Sequence, residues 1–98
     1  MTMTETKRTI RRTAQFKKEY KKSKNQGKDI SLLLNIINML ANDEPLPEKY
    51  KDHALLGKWK DFRECHIAPD WLLVYKKIDK DKLLLTLTRI TSHSELNF

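Results

Sequence analysis

Apolar residues recur at helical spacing in the second quarter of the chain. Between residues 29 and 41 they stand at i, i+3, i+4, i+7, i+10 and i+11, as Ile30, Leu33, Leu34, Ile37, Leu40 and Ala41. This spacing predicts an amphipathic helix with one face in the core. Pro45 and Pro47 follow, and since proline cannot continue a helix, we expect the helix to end before them.

A thinner apolar pattern predicts another helix before it, at residues 14–24. The side chains expected to face inward are Ala14, Phe16 and Tyr20. Thr13 is placed to cap this helix, because its hydroxyl can accept a hydrogen bond from a backbone N–H of the first turn. Gly27 is placed to end it.

Strand-like runs make up most of the remainder. One lies at residues 8–13, with Ile10 expected to be buried, and three follow the helices at residues 60–67, 71–78 and 83–90. Pro69 and Asp70 predict a tight reversal between the second and third runs, and the charged residues 79–82 predict another before the last. The sequence therefore predicts an α+β fold, in which β-α-α is followed by a three- to four-stranded antiparallel sheet with the helices packed on one side.

Size and composition predict a single domain over residues 1–98, with residues 1–7 as a flexible tail. The single cysteine, Cys65, excludes an internal disulfide framework and suits a reducing compartment. No stretch approaches the roughly 18 apolar residues that a membrane span needs, and the first residues lack the apolar segment of a signal peptide. We therefore expect a cytoplasmic protein with no membrane partner.

Strand direction places several polar side chains at one rim of the predicted sheet. His66 and Asp70 flank the first reversal, and the last strand brings Arg89 and His93 back to the same rim. Cys65 and His66 are neighbours on one strand, so their side chains point to opposite faces. A Cys–His dyad is therefore excluded, and Cys65 is interpreted as a small core residue.

The excess positive charge is concentrated at the N-terminal end of the sequence. Residues 1–28 hold ten lysines and arginines and two acids, a net charge of +8, whereas residues 29–98 have a net charge of −1. The first predicted helix is expected to expose Lys17, Lys18, Lys21 and Lys22. This one-sided concentration favours contact with a polyanion, although a merely solvated helix face remains the alternative.

The residue types at the rim fit the metal-free cleavage of RNA. Three histidines and one cysteine show no zinc-ligand spacing, and the two glycines form no phosphate-binding loop, so neither a metal nor a cofactor is expected. One imidazole can remove the proton of a ribose 2′-OH while a second protonates the departing 5′-oxygen. A cation such as Arg89 would stabilise the phosphorane, and Trp71 could stack on a base.

The same side chains also have structural interpretations. From its local sequence, His53 is an ordinary loop histidine. His66 and His93 could be surface histidines. Asp70 could serve only the turn after Pro69, and Trp71 could belong to the core.

Three stretches of the sequence resemble a family of bacterial toxins. They are YKDHALLG at residues 50–57, HIAPDWLLVYK at residues 66–76 and RITSHSEL at residues 89–96. Over roughly residues 8–96 the chain resembles the YafQ branch of the RelE/ParE superfamily. The resemblance implies a RelE-like fold and a ribosome-dependent mRNA endonuclease from a type II toxin–antitoxin pair, neutralised by a small cognate antitoxin.

The resemblance also implies roles for individual residues. His53 would be the general base and His93 the general acid, because the Lys-Asp-His context and the last histidine match the family pattern. His66 and Asp70 would orient or stabilise the phosphate, and Trp71 would touch a base.

The implied partners are the 70S ribosome with its mRNA, ribosomal RNA at the basic helix, and an antitoxin whose acidic surface covers that helix or the rim. The sequence departs from the family near its end. An aromatic residue is expected four positions after the last histidine, but Asn97 stands there, and Phe98 follows as the candidate for substrate contact.

Two other functions remain open. The chain could be a non-catalytic member of the superfamily that inhibits DNA gyrase, or a nucleic-acid-binding module that binds RNA without cleaving it. The three histidines at matching positions favour the nuclease, since a protein that only binds needs no such set.

Overall fold

The computed structural model describes residues 6–96 of the chain. Two helices, α1 (Ala14–Asn25) and α2 (Ile30–Ala41), follow the first strand, β1 (Thr9–Arg12). Four further strands complete the sheet, namely β2 (His53–Ala54), β3 (Arg63–Ala68), β4 (Trp71–Ile78) and β5 (Leu84–Thr91). Short 3-10 turns lie at Glu48–Tyr50, Gly57–Trp59 and His93–Glu95. The predicted α+β fold is confirmed.

The sheet is mixed, with the strand order β1-β5-β4-β3-β2. Strands β2 to β5 form the expected antiparallel part, whereas β1 pairs in parallel with β5, with Ile10 opposite Leu85. The prediction that Ile10 is buried is wrong. Strand β1 is an edge strand whose four residues are all exposed, and the Ile10 side chain keeps 37% of its surface accessible.

Helix α2 buries Leu33, Ile36, Ile37, Leu40 and Ala41. These residues keep the helical spacing, but the buried face is rotated slightly about the helix axis relative to the predicted face. Leu34 is 50% exposed, so its assignment to the core is wrong. Successive residues are about 100° apart around a helix axis. Leu33 lies at the centre of the buried face, so Leu34 lies at the margin of that face.

Helix α1 begins at the predicted cap, because the Oγ1 of Thr13 accepts a hydrogen bond from the backbone N–H of Phe16 at 3.0 Å. Phe16 is buried as expected, but Ala14 is exposed and its predicted inward position is wrong. The inner face instead continues through the polar residues Glu19 and Ser23, both buried. Their burial requires partners, and both find them in the sheet, as described below.

The two faces of the sheet carry different groups of side chains. The main core includes both helices and the alternating sheet residues Cys65, Ile67, Trp71, Leu73, Tyr75, Leu85, Leu87 and Ile90. A smaller cluster on the other face contains Leu72, Val74 and Leu96. Glu64 and His66 pair across the strands with Val74 and Leu72, so their side chains lie on the face away from the helices.

No helix within residues 6–96 is both long and apolar enough to cross a membrane.

Candidate active site

The three histidines of the chain come together in a row at one end of the sheet. The ring centroids of His53 and His66 are 6.2 Å apart, and those of His66 and His93 are 5.4 Å apart. His53 opens β2 opposite Glu64, His66 lies two residues further along β3, and His93 opens the turn after β5. The predicted meeting of His66 and His93 at one rim is confirmed, and His53 joins them.

Glu64 lies beneath this row, and the sequence pattern does not single it out. It is only 4% exposed, and its Oε1 lies 3.4 Å from Nε2 of His66 and 3.9 Å from Nε2 of His93. Because Glu64 and His66 are two residues apart on one strand, they project from the same face. That alternation is the one signal for Glu64 in the sequence. A buried carboxylate thus faces two imidazoles.

The environment of His66 favours its neutral form. Burial lowers its pKa below the usual value, the charge of Glu64 opposes this shift, and the neighbouring His93 and His53 add to it. At pH 7 the His66 ring is therefore neutral, with one nitrogen carrying a lone pair.

His53 is oriented by the backbone just before it. Its Nδ1 lies 2.7 Å from the carbonyl oxygen of Lys51, and a carbonyl can only accept, so Nδ1 carries the hydrogen. In the neutral ring this leaves Nε2 unprotonated. Lys51 itself adopts a left-handed conformation, with φ 49°, which turns its carbonyl toward the histidine.

Asp52, the residue between Lys51 and His53, is anchored from two sides. Arg63 donates two hydrogen bonds to its carboxylate, at 3.3 and 3.2 Å, and the buried Tyr75 hydroxyl donates a very short one. Burial and the Asp52 carboxylate both raise the pKa of Tyr75, so it stays a hydrogen-bond donor at physiological pH. The segment that carries His53 is thereby fastened to β3 and β4.

Asp70 contacts His93 from the β3–β4 turn. Its Oδ1 accepts a hydrogen bond from the backbone N–H of His93 at 3.1 Å and lies 3.9 Å from that residue's Nδ1. Asp70 thus fixes the turn in which His93 lies. This contact is compatible with a purely structural role for Asp70 and with a role at the phosphate.

Arg89 is held by helix α1. Its guanidinium donates to both carboxylate oxygens of Glu19, at 3.3 and 2.5 Å, and this hydrogen bonding raises the pKa of Arg89. The ion pair explains why Glu19 can be buried. It also gives Arg89 a partner already, so its contact with a phosphate stays a prediction.

Trp71 is not an exposed ring at the rim, and that prediction is wrong. The side chain is 3% exposed in the main core, and its Nε1 donates to the buried Ser23 hydroxyl at 3.1 Å. The first residue of β4 points toward the helices, because it shares the face of Leu73 and Tyr75. Stacking on its ring face is therefore not available in this arrangement. Phe98, the other aromatic candidate, lies outside the described residues.

Cys65 plays no part in the row. It is fully buried on the helix face, and burial raises the pKa of its thiol to about 12, so no thiolate forms at neutral pH. Its interpretation as a core residue is confirmed.

A donor set for a metal ion exists within the row. One carboxylate oxygen of Glu64 and one nitrogen each of His66 and His93 all lie within 4.8 Å of one another. Two imidazoles and a carboxylate suit Zn²⁺ or Cu²⁺. The expected absence of a metal stays a prediction.

The surroundings of the row carry positive charge. A groove of about 590 Å³ runs past His66 and is lined by Lys49, Tyr50 and Lys51. On α1 the lysines Lys17, Lys18, Lys21 and Lys22 are all exposed, as predicted. Lys22 lies 3.6 Å from Glu95, an exposed pair of little energetic weight.

Comparison with known proteins finds a matching family. Residues 8–97 match the family model described as the bacterial toxin of type II toxin–antitoxin system, YafQ. The mRNA interferase toxin YafQ of Escherichia coli K12 is 40% identical over 90 residues, which cover 91% of this chain and 95% of that protein.

Solved structures agree as well. YafQ in the E. coli DinJ–YafQ toxin–antitoxin complex has a TM-score of 0.81 at 39% identity, covering 94% of this chain and 99% of that one. A metal-bound toxin from Helicobacter pylori has a TM-score of 0.83 at 48% identity, covering 91% and 98%. The chain described here therefore belongs to the YafQ family of toxins from type II toxin–antitoxin systems.

Proposed function

We propose that this chain is an endoribonuclease toxin that cleaves mRNA in the ribosomal A site. The observation that carries the proposal is the row of three imidazoles over the buried carboxylate of Glu64. The outer rings, His53 and His93, stand on either side of His66, so they can approach one phosphodiester from opposite sides. The E. coli relative, named an mRNA interferase, supports the same reaction here.

In the proposed mechanism the protein itself only transfers protons, and the nucleophile comes from the RNA. His53 removes the proton of the ribose 2′-OH through Nε2, which its hydrogen bond to Lys51 leaves as the acceptor. The 2′-oxygen attacks the adjacent phosphorus, and the bond from phosphorus to the 5′-oxygen breaks. His93 delivers a proton to that departing oxygen, and its 57% exposed side chain can reach it.

The remaining groups hold the reacting atoms. His66, between the other two rings, orients the phosphate, while Glu64 lies beside Nε2 of both His66 and His93. Asp70 fixes the backbone of His93. Positioned general acids and bases of this kind contribute about 10²–10⁴-fold each to the rate.

The partners follow from charge and from the relatives. The lysines of α1 and of the groove beside His66 would contact ribosomal RNA and mRNA. YafQ of E. coli is found in a complex with DinJ, so a cognate antitoxin with acidic surface would neutralise this toxin in the cytoplasm.

The nucleophile provides the decisive experiment. An mRNA with a single 2′-deoxy substitution at the cleavage site, presented on programmed ribosomes, should bind normally but remain intact, because it lacks the attacking oxygen. The ordinary mRNA should give an upstream fragment ending in a 2′,3′-cyclic phosphate or 3′-phosphate. Cleavage of the deoxy substrate at a comparable rate, or a 3′-hydroxyl end, would overturn the mechanism.

His93→Ala serves as the matched inactive variant, since an exposed ring contributes little to the core. It should lose about 10²–10⁴-fold in cleavage rate while keeping the thermal transition of the parent. A non-catalytic gyrase inhibitor or RNA-binding module would give no fragment with either protein.

Chelation tests the role of a metal. Glu64, His66 and His93 could hold an ion, but a metal on His93 would compete with the proton that this residue delivers in the mechanism. We therefore expect a chelator, used with enough Mg²⁺ to keep ribosomes assembled, to leave cleavage unchanged, and added Zn²⁺ to inhibit it. Loss of activity on chelation, restored by Zn²⁺, would contradict the proposal.

A further inference from the structure

A second cleft, of about 420 Å³, opens beside the row on the helix side of the sheet. It lies between the end of α1, the β3–β4 turn and the segment that follows β5. Its walls include Gln26, Lys28, Asp70, Ser92 and Glu95, and Trp71 lies at its base. None of the steps described above uses this cleft, although its size falls within the ordinary range for small-molecule sites, about 300–1,000 Å³.

The cleft and the catalytic row share one residue, Asp70. That residue lines the cleft, and it also accepts the hydrogen bond from the backbone of His93. Ser92 and Glu95, on either side of His93 in sequence, line it as well. A nucleotide next to the phosphate at His93 would therefore find the cleft within reach of its base.

The floor of the cleft is rigid. Trp71 is buried and its indole N–H is fixed to Ser23 on α1. The ammonium group of Lys28 stands 5.8 Å from the centre of the Trp71 ring. A rigid wall with a cation at its margin suits the base of a nucleotide that carries phosphate charge.

The polar walls discriminate between bases. Asp70 and Glu95 are exposed carboxylates, which only accept hydrogen bonds at neutral pH. Adenine, cytosine and guanine offer an exocyclic amino donor to such groups, whereas the N3–H of uracil stands between two carbonyl oxygens that a carboxylate repels. Lys22 lies 3.6 Å from Glu95, so this carboxylate has a cation beside it at the cleft.

We propose that this cleft binds the base of the mRNA nucleotide adjacent to the scissile phosphate, and that Glu95 selects a base with an exocyclic amino group. The inference rests on the proposed nuclease function. It assigns sequence preference to a site on the opposite side of the sheet from the histidine row.

The test uses the intact toxin, purified ribosomes and an mRNA pool randomised around the A-site codon. Sequencing of the fragment ends from the parent should show one position, next to the cut, depleted in uracil. Glu95→Gln, which keeps the shape but adds a donor, should reduce that discrimination about tenfold, within the range for one base-specific hydrogen-bonded pair. The matched control is Glu44→Gln, because Glu44 is exposed and follows α2 away from the cleft.

The outcomes separate the two proposals. If the parent cuts no mRNA, the nuclease function itself fails. If the parent cuts but Glu95→Gln keeps the same base preference, the cleft inference fails and the nuclease function stands. Weaker ribosome pelleting of Glu95→Gln with an unchanged cleavage profile would instead assign the cleft to a base of ribosomal RNA, and would also overturn the inference.

Discussion

At the scale of single residues, the segment before His53 explains how an exposed loop can hold a proton acceptor in place. The carboxylate of Asp52 is bound by Arg63 and by the hydroxyl of Tyr75. Those two residues are cross-strand partners on β3 and β4. In the proposed mechanism Asp52 is therefore a positioning residue, which would act on the reaction through the orientation of His53.

Asp52→Asn should lower kcat while leaving KM nearly unchanged, because the ring of His53 loses its fixed orientation but the exposed lysines proposed to bind RNA are untouched. A misplacement of about 1 Å can reduce a rate by about 100-fold. Single-turnover cleavage on ribosomes measures the effect. Tyr75→Phe should give a smaller decrease in the same direction, since Arg63 still binds Asp52. Equal changes in kcat and KM for both variants would argue against positioning.

The sequence predicts the site only in part at this scale. The meeting of His66, Asp70 and His93 follows from turn positions and strand direction, both of which are local signals. Glu64 carries no such signal, because a glutamate on a half-buried strand usually faces solvent. The inward direction of Trp71 depends on which face of the sheet the helices cover, and a single strand does not reveal that.

At the scale of elements, helix α1 has two distinct faces. One face enters the core and the sheet through Phe16, Glu19 and Ser23, and the ion pair of Glu19 with Arg89 links it to β5. The opposite face presents the four exposed lysines, Lys17, Lys18, Lys21 and Lys22. Substitutions on the outer face can therefore change the affinity for RNA with little effect on folding.

Replacement of Lys17, Lys18, Lys21 and Lys22 by glutamate should weaken ribosome pelleting strongly and reduce its salt dependence, by up to about one unit of slope for each phosphate that the helix no longer binds. The thermal transition should shift little, since exposed charge pairs contribute only about 0.2–0.5 kcal/mol each. Replacement of Lys58, Lys60, Lys80 and Lys82, which are also exposed, gives the same net charge elsewhere. Equal weakening in both variants would mean that only net charge matters.

The sequence predicts where the two helices lie in the chain better than it predicts which face of each helix is buried. The cap at Thr13 and the prolines after α2 mark the helix ends, which depend on nearby residues alone. The inner face depends on distant partners. Leu34 and Ile36 are both apolar, and the packing against the sheet decides which of them is buried.

At the scale of the whole molecule, one buried arginine joins three parts of the chain. Arg8, 6% exposed, donates to Asp43 after α2 at 2.7 Å, pairs with Asp79 after β4 at 2.7 Å and donates to the backbone carbonyl of Leu84 at 3.1 Å. Arg8 therefore belongs to the fold, although it is one of the ten cations of the basic N-terminal segment.

Acid should weaken this junction. The hydrogen bonds from Arg8 and Lys77 lower the pKa of Asp43 to about 2, below its ordinary value of about 3.8. The unfolded chain thus binds more protons than the folded one between these two values, so stability falls as pH decreases from about 4 to about 2. Asp43→Asn should be less stable at pH 7 and should lose less stability over that range. Chemical denaturation at several pH values measures both, and parallel curves for the two proteins would contradict the assignment.

The mixed sheet is the part of the whole fold that the sequence did not predict. The alternation of residues 8–13 indicates a strand, but a parallel partner about seventy-five positions away leaves no local mark. The exposure of Ile10 follows from that same edge position.

The pairing of β1 with β5 has a consequence for biosynthesis. Of the five strands, β5 is translated last, yet it lies between β1 and β4 and supplies Leu85, Leu87 and Ile90 to the core. Until β5 is made, the nascent chain has no partner for β1, no counter-ion for Glu19 and no His93 beside His66. The toxin therefore cannot assemble its histidine row part-way through its own translation.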